Sequence, residues 1–226
     1  MISFIIPTLW NSNYIYDTIN SFMESSLRFD SEIIIIDNSN SDYISPDDSI
    51  VRVIKMKENI FVNPAWNLGV SLAKNKHVCL LNDDIYFNIS TFLLNFKNLV
   101  YDASLNYGMI AIDAETFKFT DGINYNDDIL EFGIINHRGA GFGMMMCLKK
   151  ENYEPIPDDF KIYFGDDILW LINHDILKRK NYYFKGLNII GEMSVTSSKF
   201  ESEYLQQEFN FWGENVEKIK KKYGVG

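Results

Sequence analysis

Short apolar runs alternate with stretches of helical period along the first half of the chain. Ile2-Ser3-Phe4-Ile5-Ile6 predicts a strand closed by Pro7-Thr8. Glu32–Asp37 predicts a second strand, with isoleucine at every position from 33 to 36. β-Branched residues on both sides of the pleat suit a strand covered on both faces. Ile50–Met56, His77–Leu81 and Tyr107–Ile112 predict three more strands. Between them, residues 13–26 and 90–103 have helical patterns, and Asn63-Pro64 gives an N-cap followed by proline at the first helical position of a helix running to about Asn75. Asn38–Ser49 is a polar loop. This alternation of strand and helix predicts an α/β fold with a mostly parallel, doubly wound central sheet flanked by helices.

The second half is less regular. Phe117–Asn126 suggests a hairpin, and Gly139–Leu148 begins with small residues and ends apolar. Asp166–Lys180 reads as a helix with basic residues in its last turn, and Tyr182–Met193 reads as strand. Residues 203–222 form a charged helix whose terminal lysines suit a solvated end. No repeat or flexible linker divides the chain, so 1–226 reads as a single domain.

Composition narrows the function classes. A net charge of −10 argues against a general nucleic-acid or acidic-membrane surface. Cys79 and Cys147 both sit in apolar runs and read as buried free thiols rather than a disulfide or a zinc site. Ile2–Ile6 is too short and lacks the basic flank of a secretory signal, and no apolar run approaches the length of a membrane span. The expectation is a cytoplasmic protein, with peripheral membrane association left open.

Candidate chemistry centres on two acidic turns. Val78-Cys79-Leu80-Leu81 ends abruptly in Asn82-Asp83-Asp84. Adjacent carboxylates at the end of a buried strand repel each other and are costly to desolvate, and a hard divalent cation relieves that cost. In open α/β sheets, ligands bind at the carboxyl ends of strands. A metal-assisted site for a phosphorylated ligand and a plain acidic turn both fit. Farther along, Phe164-Gly165 precedes Asp166-Asp167 at a helix start. Two neighbouring carboxylates in an apolar cleft push one pKa upward, which suits a general base. Alternatively, Asp166 simply caps the helix. Asp37, at a strand end, can accept from a base or ribose, or open its loop as an Asx-turn.

Four segments carry a family resemblance. Phe4-Ile5-Ile6-Pro7-Thr8, Ile36-Asp37-Asn38-Ser39-Asn40-Ser41-Asp42, Glu58-Asn59 through Asn67-Leu68-Gly69, and Leu80-Leu81-Asn82-Asp83-Asp84 follow one another in the order and rough spacing of the large family-2 type of GT-A glycosyltransferase. The match is looser through Gly139–Gly143 and Phe164–Asp167.

The resemblance implies a GT-A, Rossmann-like sheet in which residues 1–110 bind a nucleotide sugar and 111–226 build a smaller acceptor side. It implies nucleotide contacts from Pro7, Thr8 and Asp37, phosphate or sugar contact from Asn67, and ribose or metal-bound-water contacts from Asn82 and Asp83. It places Mn²⁺ or Mg²⁺ on Asp84 and the general base at Asp167, with Asp166 beside it. The implied donor is a nucleotide sugar, a UDP-sugar by default, and the acceptor a glycan, glycoprotein or glycolipid hydroxyl, reached with inversion.

Two departures stand out. Phe61 occupies the position of the family's first glycine in the third segment. No histidine occurs in Ile190–Ser194, where the family commonly has a late metal ligand, so Glu192 is the candidate there. Two rival readings remain. A sugar nucleotidyltransferase would show a glycine-rich basic loop after the first strand, where this chain has Pro7-Thr8-Leu9-Trp10-Asn11. A degenerate glycosyltransferase-like binding module would keep the fold and lose the acidic residues.

Overall fold

The computed structural model describes residues 1–101, 106–112, 131–139, 141–185, 187, 189–191 and 203–225. The expected hairpin at Phe117–Asn126 lies outside them. In chain order the elements are β1 (Ile2–Thr8), α1 (Tyr14–Glu24), β2 (Glu32–Asp37), β3 (Val51–Lys55), α2 (Val62–Leu72), β4 (His77–Leu81), β5 (Ile85–Tyr86), α3 (Ile89–Tyr101) and β6 (Tyr107–Ile112). There follow β7 (Glu131–Ile135), β8 (Met145–Lys149), α4 (Gly165–Trp170), β9 (Lys180–Lys185), β10 (Ile190–Gly191) and α5 (Glu203–Lys222). A π-helical stretch, Leu171–Ile176, continues α4. The helix expected from Asp166 to Lys180 is therefore shorter and changes its winding midway. The strand expected over Tyr182–Met193 is two pieces, β9 and β10.

Among the described residues, eight strands form one sheet in the order β3-β2-β1-β4-β8-β6-β9-β7. β1 pairs parallel with β2 and β4, and β2 with β3, while β8 runs antiparallel between β4 and β6. β6 and β9 are parallel, and β7 runs against β9. The mostly parallel sheet is as expected. Gly139–Leu148, unassigned from sequence, supplies β8 in the middle of it. The two chain halves are thus interleaved in one sheet.

The isoleucine run explains the layering. Successive side chains of a strand point to opposite faces. Ile33 and Ile35 pack with Phe4, Ile6 and the α1 and α3 residues Ile19, Phe22, Phe92 and Phe96. Ile34 and Ile36 pack on the other face with Ile5, the α2 residues Ala65, Trp66 and Val70, and Ile168, Leu169 and Ile172. All four isoleucines are fully buried. Gly69 lets α2 lie close to the sheet, since a Cβ there would come within 2.2 Å of Ile5 Cγ2. Among the described residues, no helix is long and apolar enough to cross a membrane.

The strand order fixes where a ligand fits. From β1 the chain winds outward through β2 and β3, then returns to β4 on the other side of β1. The crevice at such a reversal lies outside the carboxyl ends of the strands. Here that point is between β1 and β4, whose pairing stops at Ile5↔Leu80. Pro7, which has no N–H to donate, lies beyond the last of these pairs.

Candidate active site

Three strand ends and two turns meet at this edge. Beyond Ile5 and Leu80 the gap between β1 and β4 is bridged by side chains: the Thr8 hydroxyl donates to Asp83 Oδ2 at 2.6 Å. Thr8 Oγ1 also accepts from the Trp10 N–H at 2.8 Å. Burial pushes the Asp83 carboxyl above its ordinary value, partly offset by Thr8 and by the backbone N–H groups of Asp83 and Leu9. Asp84 is buried and leads directly into β5. The Asn82 N–H donates to Met144 O at 3.0 Å, tying this acidic turn to the start of β8.

The second acidic turn reaches the same place through β8. Gly141 (φ 73°) and the short 3₁₀ turn Phe142–Met144 precede that strand. Gly143 lies against Asp166 so closely that a Cβ would sit 2.8 Å from Asp166 Oδ2. Arg138 bridges the pair, with its guanidinium 2.6 Å from Asp166 Oδ2 through Nη1 and 2.7 Å from Asp167 Oδ1 through Nε. Burial, reinforced by the Asp166 charge, pushes the Asp167 carboxyl up to about 6, against the pull of Arg138. A carboxylate with that pKa is mostly ionised at neutral pH yet basic enough to take a proton. In the sequence, Arg138 stands out only as a cation just ahead of the glycine-rich turn.

Several expected roles change. Asp166 does not cap α4; Phe164 holds the N-cap position in a left-handed conformation (φ 60°), and Asp166 turns to Arg138 instead. Asn63 does not cap α2 either, because the helix begins two residues earlier, at Val62, with Phe61 at the cap position. The Asn63 amide donates to Tyr163 O at 2.8 Å.

Asn67, expected to face phosphate or sugar, is committed elsewhere. Its Nδ2 donates to Ile156 O at 2.8 Å, and its Oδ1 accepts from Ile156 N at 2.9 Å and the Tyr153 hydroxyl at 2.7 Å. The polar atoms of this amide pin the 153–156 segment.

Asp37 makes the contacts of a loop-opening turn. One oxygen accepts from Ser39 N and Oγ, the other from Ser41 N and Oγ, all within 3.0 Å. Burial pushes this carboxyl up, but the Ser41 and Ser39 hydrogen bonds together outweigh it and hold it below its ordinary value. A carboxylate offers about four lone-pair sites, and here they are filled. Trp66 and Trp170 are buried, and the half-buried Trp212 packs against the same core cluster.

A divalent cation fits the first acidic turn only in part. Asp84 follows closely on the end of β4, yet among the described residues no three His, Cys, Asp or Glu side chains are grouped to hold a metal. Mg²⁺-like ions typically combine one or two protein carboxylates with waters and substrate phosphates, and such a donor set suits this turn. Glu192 lies outside the described residues. Gly191 pairs with Ile85, the residue after Asp84.

An open, mostly parallel sheet with this switch point and acidic turns at its carboxyl edge defines a GT-A, Rossmann-like fold. The sequence profile of glycosyl transferase family 2 matches residues 3–119, more than half of the 226, and the chain belongs to that family. No curated protein matches the chain.

Solved structures share the fold at low identity. TarS 1-349 from S. aureus in complex with UDP is 16% identical, with a TM-score of 0.58 over 92% of this chain and 64% of that one. The mannosyltransferase PcManGT from Pyrobaculum calidifontis, in complex with GDP-Man and Mn²⁺, is 13% identical, with a TM-score of 0.60 over 92% of this chain and 63% of that one. GalNAc-T7 with UDP, GalNAc and Mn²⁺ is 12% identical, with a TM-score of 0.56 over 87% and 44%. The chain spans less than two thirds of each.

Proposed function

We propose that the protein transfers a sugar from a nucleoside-diphosphate donor, a UDP-sugar by default, to a hydroxyl of a glycan, glycoprotein or glycolipid, with inversion at the anomeric carbon. The observation that carries this reading is the meeting of two acidic turns at one switch-point edge. Asn82–Asp84 is joined to β1 through Thr8 and to β8 through Met144, and the Asp166–Asp167 pair packs on Gly143 of the same turn. The ligands of the solved relatives, UDP in TarS and GDP-Man in PcManGT, support a nucleotide sugar.

On this reading Pro7, Thr8, Asn82 and Asp83 line the nucleotide side within residues 1–110, and residues 111–226 bring the acceptor. Asp37 contributes by shaping the 38–42 loop. Asp167 takes the acceptor hydroxyl proton as that oxygen attacks the anomeric carbon. The bond from that carbon to the diphosphate oxygen breaks, and the nucleoside diphosphate leaves. Arg138 orients the base and moderates its pKa. Asp84, with Glu192 as a second oxygen donor, would hold Mn²⁺ or Mg²⁺, which would supply Lewis-acid charge there. A cytoplasmic setting, with or without peripheral membrane contact, fits this chemistry.

Calorimetry with UDP, with and without Mn²⁺, tests the donor side. The expected result is metal-dependent binding that Asp84→Ala abolishes while its melting curve stays that of a folded protein. Equal affinity in the variant would contradict the assignment.

A further inference from the structure

The segment that leads into the acidic pair is held by a helix some forty residues farther along the chain. Glu208 of α5 is 2% exposed. Its Oε1 accepts from the backbone N–H of Lys161 at 2.9 Å and of Ile162 at 3.0 Å, and its Oε2 from that of Tyr163 at 2.8 Å. Successive N–H groups converging in this way form an anion-binding concavity, here filled by the protein's own carboxylate. From the other side, Asn63 of α2 binds Lys161 O through its N–H and Tyr163 O through its amide. Phe164, Gly165 and the acidic pair follow at once.

The same face of α5 seats two strained residues. Phe61 has φ 67° and ψ −174°, and Phe164 has φ 60°. Bulky residues rarely adopt positive φ, and they persist there only where the surroundings over-determine them. The Phe61 ring packs on Tyr204 with centroids 5.2 Å apart, and Phe164 packs on Trp212 at 5.3 Å. Tyr204, Glu208 and Trp212 are spaced four apart, one stripe of a helix. Each therefore grips the start of α2 or the approach to α4. Farther along, Asn215 donates to Asp159, and Tyr223 donates to Glu154 at 2.6 Å, which fastens the rest of the helix.

We infer that Glu208 is a positioning residue for the acidic pair, acting through residues 161–164, and that α5 is the clamp that sets the aim of Asp167. The role given to Asp167 rests on the proposed function; the mechanical link does not. The charges facing Asp167 are Asp166 and Arg138, and the cation facing Glu208 is Lys161. Glu208→Gln is nearly isosteric, but its amide nitrogen turns a donor toward backbone donors. Opening the segment to water then relieves the burial that raises the Asp167 pKa.

The experiment follows the ¹³C titration of the Asp167 carboxyl and the hydrogen exchange of amides 164–168, in the full chain well below its melting temperature. Glu154→Gln, which loosens only the far end of α5, is the control. Glu208→Gln is expected to lower the Asp167 midpoint by about one unit or more and to speed exchange at 164–168, because desolvation is the leading cause of the shift. Glu154→Gln is expected to change neither. A wild-type Asp167 titration in Glu208→Gln would overturn the inference. Should that variant fail to fold, Glu208→Asp keeps the charge on a shorter arm and is expected to give a smaller shift in the same direction; no shift would overturn the inference equally. Sugar transfer by Asp167→Asn is measured in parallel. Retained transfer there would remove the base assignment while leaving the Glu208 result to stand on its own.

Discussion

Replacing Arg138 by alanine should move the pH dependence of transfer upward. The guanidinium contacts both carboxylates, at 2.6 Å and 2.7 Å, with 34% of its own side chain exposed and 27% of that of Asp167. An opposite charge at this range lowers a carboxyl pKa by about 1–3 units, and partial exposure to solvent favours the lower end, about 1 unit. Without Arg138, burial and the Asp166 charge act unopposed, so Asp167 rises from about 6 toward the neutral range. The base works as the carboxylate. Its activity is therefore lost as pH falls through the pKa, and raising the pKa shifts the acid limb to higher pH. At pH 6 the ionised fraction drops from about one half to about one tenth, a roughly fivefold loss, while above pH 8.5 both forms are almost fully ionised. The pH profile of kcat/KM reads the free enzyme directly. Arg138→Lys keeps the charge without the fork and should fall between the two. An acid limb that stays in place, or moves to lower pH, would refute the electrostatic reasoning.

Asn67→Ala should destabilise the protein by about 1–3 kcal/mol, because Ile156 N–H and C=O lose their partners, and should leave UDP affinity unchanged. Urea unfolding and calorimetry check the two halves of that statement; weakened binding with intact stability would restore the ligand role. Gly69→Ala should also destabilise, by roughly 1–3 kcal/mol, since its Cβ meets the buried Ile5 side chain at 2.2 Å and this overpacking exceeds the helix-propensity gain of about 1 kcal/mol. A more stable variant in denaturant would show that α2 can retreat from the sheet.

The parallel core was legible because its strands write their burial into composition. Ile33–Ile36 is apolar on both faces, and only a sheet covered by two helical layers buries both. The acidic turns were legible because charge interrupts such strands abruptly. Interior partners were not. Asp37 and Asn67 read as ligand residues because a polar side chain near a strand end or helix start looks the same whether it faces a substrate or a loop. The partners that these two side chains hold, Ser39, Ser41, Tyr153 and Ile156, come into view only in space. Arg138 lies 28 residues before Asp166 and Glu208 lies 45 after Tyr163, so no local pattern joins them. β8 was missed because Met145–Lys149 follows a glycine-rich turn and pairs antiparallel within a sheet whose rhythm is strand, helix, strand.

The most direct test of sugar transfer with Asp167 as the base compares Asp167→Asn with Asp166→Asn at saturating nucleotide sugar. Asparagine keeps the size and much of the hydrogen bonding but takes no proton. Binding of the nucleoside diphosphate should survive in both variants, since the proposal assigns the donor side to Thr8 and the Asn82–Asp84 turn. Transfer should fall by about 10²–10⁴-fold in Asp167→Asn, the usual share of general acid–base catalysis, and far less in Asp166→Asn. Near-normal transfer by Asp167→Asn would contradict the assignment, and a severe loss confined to Asp166→Asn would move the base back one residue.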